Sequence, residues 1–324
     1  MLDQFGRNIN YFRISVTDQC NLRCIYCMPD KGIDFLKEEK LLSFDEIYKV
    51  VKIVASLGIS KVRITGGEPL TRKDIPKLIH HIKTLPQIEE VCLTTNGIFL
   101  ERYIDELIKA GLDGVNISLD TLKDERYKEM TRGGSLEQVI RGIHLSLERG
   151  IKRVKLNTVM IKGENDDEIM DFVELVEKNP IDVRFIELMP IGEGKAFQAV
   201  SNDEVQERIL KERDLIAYRV ENRRLGPASY FKTPHSKGRI GFISPMSHMF
   251  CRKCNRMRLT SEGFLRQCLH WKDGIHLRKM IRDGMEDKEL KKMIEKGIYN
   301  KPNKHGFKQN CIDEDSKRMF QIGG

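Results

Sequence analysis

The chain has 324 residues, 40% of them hydrophobic and 32% charged, which suits two ordinary domains or one α/β barrel with an addition. No uncharged run reaches the roughly 18 residues of a membrane helix, and Asp3 stands where a signal peptide would need apolar residues, so a cytoplasmic location is expected. The net charge of +8 is spread through mixed-sign clusters such as Lys37-Glu38-Glu39-Lys40; this fits an anionic ligand or a general solubility bias better than a nucleic-acid arm.

From about residue 10 to 190, strand-like and helix-like stretches alternate. A strand at about 11–17 runs into Cys20, Cys24 and Cys27. Ser43-Phe44-Asp45-Glu46 is a capping box, followed by Ile47, Val50, Val51, Val54 and Leu57 at helical spacing. Gly58 stops that helix, and Lys61-Val62-Arg63-Ile64-Thr65 reads as the next strand. The same helix–glycine–strand join recurs at Ala110–Ile117 and Arg149–Leu156, which marks successive αβ units and a parallel sheet. Strands are expected at about 11–17, 61–65, 90–95, 114–119, 153–160 and 182–188. Six βα units fall short of the eight that close a barrel, so the fold class is α/β, a partial (βα)6 TIM-type barrel. Residues 191–250, rich in Gly and Pro, read as irregular, and helical stretches follow at about 275–283 and 286–297. A boundary near 195 separates a barrel, 1–195, from a C-terminal domain, 196–324.

Six of the eight cysteines fall into two groups of three, and a disulfide framework is not expected in a reducing compartment. Soft thiolates favour zinc or iron–sulfur. Cys20-x3-Cys24-x2-Cys27 has no fourth ligand nearby, His80 being the nearest histidine, so a cluster with one open iron is expected; a zinc completed from afar is the alternative. Cys251-x2-Cys254-x13-Cys268 allows a cluster or a three-Cys, one-His zinc site using His248 or His270. Cys92 and Cys311 lack ligand spacing and read as core or incidental thiols. Arg13, Arg63, Lys155 and Arg184 lie on strands, where a charge must be paired, face a polar cavity or snorkel outward.

The first cysteine triplet with Tyr26, followed at the next strand end by Thr65-Gly66-Gly67-Glu68-Pro69-Leu70, resembles the radical S-adenosylmethionine (SAM) enzymes. Ile240-Gly241-Phe242-Ile243-Ser244-Pro245 and Cys254-Asn255-Arg256-x-Arg258-Leu259-Thr260 resemble the GTP 3′,8-cyclase family within them, the molybdenum cofactor biosynthesis protein A family. Gly226-Pro227-Ala228-x-Tyr230, Lys301-Pro302-x-x-His305 and the terminal Gly323-Gly324 extend the similarity over nearly the whole chain. Phe12 and Cys92 depart from the family pattern at positions that are not implied ligands.

The resemblance implies a C-terminal iron–sulfur domain and two 4Fe–4S clusters. One, on Cys20, Cys24 and Cys27, chelates SAM and cleaves it reductively; the other, on Cys251, Cys254 and Cys268, binds the guanine edge. It implies SAM contacts at Tyr26, Gly67, Ser118 and Met189, and GTP contacts at Arg13, Arg63, Thr94, Lys155, Arg256, Met257 and Arg258. The Gly323-Gly324 tail is expected inside the active site, with no side chain acting as a nucleophile. The implied activity is that of a lyase. A deoxyadenosyl radical takes the ribose H3′, and a C3′–C8 bond then gives 3′,8-cyclo-7,8-dihydro-GTP. Implied partners are a low-potential flavodoxin- or ferredoxin-type donor and, downstream, cyclic pyranopterin monophosphate synthase. The enzyme is expected as a monomer or homodimer, with neither nucleic acid nor membrane as a partner. Two other readings stand at this point: a peptide-modifying radical SAM enzyme with an auxiliary cluster, and a zinc-stabilised nucleic-acid-binding module.

Overall fold

The computed structural model describes residues 1–219, 226–307 and 318–323. Six parallel strands lie side by side in chain order: β1 (Tyr11–Ser15), β2 (Lys61–Thr65), β3 (Glu90–Thr95), β4 (Gly114–Ser118), β5 (Val154–Met160) and β6 (Asp182–Glu187). Helices α1 (Phe44–Ser56), α2 (Ile75–Lys83), α3 (Leu100–Lys109), α4 (Asp124–Thr131), α5 (Leu136–Glu148) and α6 (Ile169–Lys178) make the crossovers. The expected partial barrel is therefore present, with every strand within two residues of its sequence bounds.

Local chemistry sets these elements. The Ser43 hydroxyl accepts from the Glu46 amide at 3.1 Å, while the Glu46 carboxylate accepts from the Ser43 amide at 2.7 Å. From that start α1 buries Ile47, Val50, Val51 and Val54 against the sheet. Each such side chain contributes about 1.5–3 kcal/mol by leaving water. The strands alternate: Val62 and Ile64 face the helix layer, whereas Lys61, Arg63 and Thr65 face the barrel interior.

Beyond residue 190 the structure departs from the irregular stretch expected. It contains α7 (Asn202–Leu210), capped by Ser201, then β7 (Ile216–Tyr218), β8 (Ser229–Lys232) and β9 (Arg239–Ile243). These strands are too short to show a period of two. After them come β10 (Arg256–Leu259), β11 (Phe264–Arg266), β12 (Gly274–His276), α8 (Leu277–Arg282) and α9 (Asp287–Tyr299), the two helices close to where they were expected.

All twelve strands form one sheet, in the order β12-β11-β10-β1-β2-β3-β4-β5-β6-β9-β8-β7. β10 pairs in parallel with β1 and β9 in parallel with β6, so C-terminal strands extend both edges of the six-stranded core. The register aligns Arg13 with Arg258 on one side and with Arg63 on the other. Among the described residues no helix is long and apolar enough to cross a membrane. Cys311 and Gly324 lie outside the described residues.

Candidate active site

A single cavity of about 360 Å³ is lined by both thiol triplets. Cys20, Cys24 and Cys27 follow the C-terminal end of β1. Cys254 lies just before β10, whose first residue, Arg256, pairs with Tyr11 at the start of β1. The triplets thus stand at opposite ends of the barrel, one strand length or roughly 16 Å apart.

The first triplet sits on a tight turn. The Cys24 carbonyl accepts from the amides of Cys27 at 2.9 Å and Met28 at 3.0 Å. Cys20 Sγ accepts from the Leu22 amide at 3.4 Å and from Asn96 Nδ2 at 3.8 Å. Burial pushes the Cys20 thiol up to about 11 and the Cys27 thiol up to about 12, and lifts Cys24 well above the ordinary range. Thiols held in this way ionise when a cationic iron centre binds them.

The Gly-Gly-Glu loop closes over this turn, with Gly67 N bonded to the Thr17 carbonyl at 2.9 Å and Glu68 N to the Gln19 carbonyl at 2.7 Å. A Cβ on Gly67 would meet the Gln19 carbonyl at 2.3 Å and the Asp18 carbonyl at 2.7 Å, so only glycine fits this close approach. Glu68 is fully buried and accepts from Leu70 N, Thr95 Oγ1 and Asn96 N at 2.9, 2.8 and 2.6 Å. Burial raises its carboxyl to about 7 against those bonds. The resemblance places Glu68 in the Gly-Gly-Glu segment that holds the SAM methionine, with no separate role of its own, and the sequence assigns none to Asn96 or Asp120. Asp120 takes the Tyr26 hydroxyl at 2.7 Å, and burial lifts it to about 6. Their signal was present: polar residues directly at the ends of predicted strands.

The second triplet stands in an electropositive setting. Burial raises Cys254, but Arg256 foremost, then Lys301, pull it down to about 6. All three thiols line the cavity beside Arg256 and Arg258. Among the described residues no three His, Cys, Asp or Glu side chains converge tightly enough to hold a single metal ion. Each triplet lines the cavity, and three cysteine donors suit a cubane with three irons ligated.

Between the two ends lie the basic groups. Arg13, Arg63 and Arg258 occupy adjacent strands in one row, and burial followed by the charge of Arg258 holds Arg13 well below its ordinary value. Arg63 donates to the Leu93 carbonyl at 3.2 Å, to Thr94 Oγ1 at 3.4 Å and to the Tyr11 hydroxyl. Lys155 reaches Tyr230 Oη at 3.1 Å and Asp182 at 3.4 Å; burial, then Arg184, push it down to about 7.

Thr94, Ser118, Met189 and the unassigned Arg184 also line the cavity. Met257 does not: its side chain packs in the apolar core, because a strand that points Arg256 and Arg258 inward points the residue between them outward. The Gly323 carbonyl accepts from Arg258 Nη1 at 2.7 Å and Arg13 Nε at 3.3 Å, and the Phe320 amide bonds to the Cys27 thiol.

The chain matches the model of the Radical SAM superfamily over residues 14–176 and that of Molybdenum Cofactor Synthesis C over residues 181–307. A protein of Clostridium perfringens (strain SM101 / Type A) named GTP 3′,8-cyclase is 54% identical over 324 residues, the whole of both chains. Namesakes from Clostridium botulinum (strain Hall / ATCC 3502 / NCTC 13319 / Type A) and Syntrophomonas wolfei are 49% and 44% identical, again over 100% of each chain. In fold the chain is similar to Streptococcus suis SuiB bound to S-adenosylmethionine, with a TM-score of 0.61 and 17% identity over 89% of this chain and 68% of that one. With full-length identity of 44–54% and both family models matched, the chain belongs to the GTP 3′,8-cyclase family of the radical SAM superfamily.

Proposed function

We propose that the chain converts GTP to (8S)-3′,8-cyclo-7,8-dihydroguanosine 5′-triphosphate in molybdenum cofactor biosynthesis. The observation that carries this reading is the single cavity with a thiol triplet at each end and a row of three guanidiniums across its floor. When bound, the 4Fe–4S cluster on Cys20, Cys24 and Cys27 supplies the one-electron cleavage of SAM and hence the radical that takes the ribose H3′.

The chain's own residues bind and aim. Gly67 backbone, Tyr26, Ser118 and Met189 hold SAM at the C-terminal strand ends. Cys251, Cys254 and Cys268 carry the second cluster, which fixes the guanine. Arg13, Arg63, Lys155, Arg256 and Arg258 offer planar forks and an ammonium for the triphosphate, and Thr94 adds a hydroxyl. Met257 contributes through its backbone, since its side chain faces the core. The Gly323 carbonyl shares Arg13 and Arg258 with the phosphates. With nucleotide and SAM fixed in this way, positioning of C3′ against the 5′ carbon and then of C8 against C3′ carries the rate.

We assign residues 1–195 to radical generation and 196–324 to the substrate cluster, because each part brings one triplet. The family resemblance supports a flavodoxin- or ferredoxin-type donor, delivery of product to cyclic pyranopterin monophosphate synthase, and a cytoplasmic monomer or homodimer. Anaerobic incubation with GTP, SAM and a reductant, followed by mass analysis, tests the reading. The expected result is an isomer of GTP together with 5′-deoxyadenosine. Cleaved SAM beside unchanged GTP would contradict it.

A further inference from the structure

We infer that the buried Asp3–Arg7 pair positions the loops of the second thiol triplet, an inference resting on the reading that Cys251, Cys254 and Cys268 hold a cluster. Both residues are nearly inaccessible, at 4% and 7% exposure, although they lie in the first seven residues. Their turn is built locally. Asp3 Oδ1 accepts from the amides of Phe5 at 3.0 Å and Arg7 at 2.9 Å, and Gly6, at φ +72°, donates to the Asp3 carbonyl at 3.0 Å. Asp3 Oδ2 then takes Arg7 Nε at 2.6 Å, which fixes the plane of the guanidinium.

The remaining guanidinium nitrogens point at backbone of two distant segments. Nη1 donates to the Cys251 carbonyl at 3.0 Å and the Asn303 carbonyl at 3.1 Å. Nη2 donates to the carbonyls of Lys301 at 3.1 Å and Pro302 at 2.8 Å. The 301–303 segment carries the connection further, because Lys301 Nζ donates to the Gln267 carbonyl, next to Cys268. Both loops that bear the second triplet therefore hang, directly or through one lysine, on a single fork.

Here all the donors of a planar group are matched to acceptors, and a lysine ammonium cannot reproduce that geometry from one point. Partners behind a metal ligand set its orientation, and their loss weakens metal binding or activity about 10–100-fold.

The test uses anaerobically reconstituted full-length Arg7→Gln and Arg7→Lys, with Asp3→Asn as a milder change. Iron content, the electron paramagnetic resonance spectrum with and without GTP, the KM for GTP and the uncoupled rate of SAM cleavage are measured. The expected result is loss of the GTP-induced spectral change and a KM raised about 10-fold or more in Arg7→Gln, partial recovery in Arg7→Lys, and uncoupled cleavage within about 2-fold of wild type. Should Arg7→Gln prove insoluble, Arg7→Lys decides on the same readouts. Wild-type spectra and KM in both arginine variants would overturn the inference. Equal loss of SAM cleavage and GTP response would also overturn it, by marking a merely structural role. Wild-type protein with iron for one cluster would instead overturn the reading beneath it.

Discussion

Arg13, Arg63 and Arg258 stand on three adjacent strands, and burial, followed by the charge of Arg258, holds Arg13 well below its ordinary value. A row of that kind costs the nucleotide-free protein and favours a polyanion. Arg256→Ala and Arg258→Ala are each expected to lose cyclisation while uncoupled SAM cleavage persists, and nucleotide-free Arg258→Ala should melt no lower than wild type. Product analysis and thermal melts check this; unchanged product yield in both variants contradicts it.

Lys155 carries a pH dependence. Burial, followed by the charge of Arg184, puts it at about 7, so above that pH the free enzyme holds it mostly neutral. A triphosphate favours the ammonium, so binding takes up a proton and weakens as pH rises above about 7. Calorimetry at pH 8 in buffers of different ionisation enthalpy should show proton uptake that Lys155→Met abolishes. At this scale much of the site was legible, because a charge on a parallel strand needs a reason. Arg184 went unassigned since nothing in its neighbours in sequence reveals the cavity. Met257 was placed by motif at a substrate contact, where the strand's own alternation directs the side chain to the core.

Among the elements, the closest approach in the site is between the loops after β1 and β2. Gly67→Ala would force a Cβ to within 2.3 Å of the Gln19 carbonyl, a backbone atom that cannot swing away. The loops must part, at about 1–3 kcal/mol for overpacking, and the cradle for the SAM methionine opens with them. SAM affinity, measured by equilibrium dialysis on reconstituted protein, should fall about 10-fold or more. The six core strands were legible because each carries buried apolar residues, and three of them, β2, β4 and β5, follow a glycine join. The six others were not, being three to five residues long and set among Gly and Pro. Nor could local pattern show that β9 and β10 pair across the sheet's two edges, since their partners, β6 and β1, are distant in sequence. That pairing brings Arg256 and Arg258 beside Arg13.

At the scale of the whole molecule, both ends of one barrel hold a thiol triplet and the space between them is shared. The two ends differ in electrostatics: burial raises the first thiols, whereas the charges of Arg256 and Lys301 pull Cys254 down. That asymmetry suits one end to a cationic sulfonium cofactor and the other to an anionic nucleotide. The most direct measurement is iron content and paramagnetic resonance on anaerobically reconstituted wild type, Cys24→Ala and Cys254→Ala. Wild type should carry about eight irons per chain and each variant about four, with a GTP-induced spectral change surviving in Cys24→Ala and absent from Cys254→Ala. Four irons or fewer in wild type, or a GTP response that survives the loss of Cys254, would contradict the assignment of two clusters with two different guests.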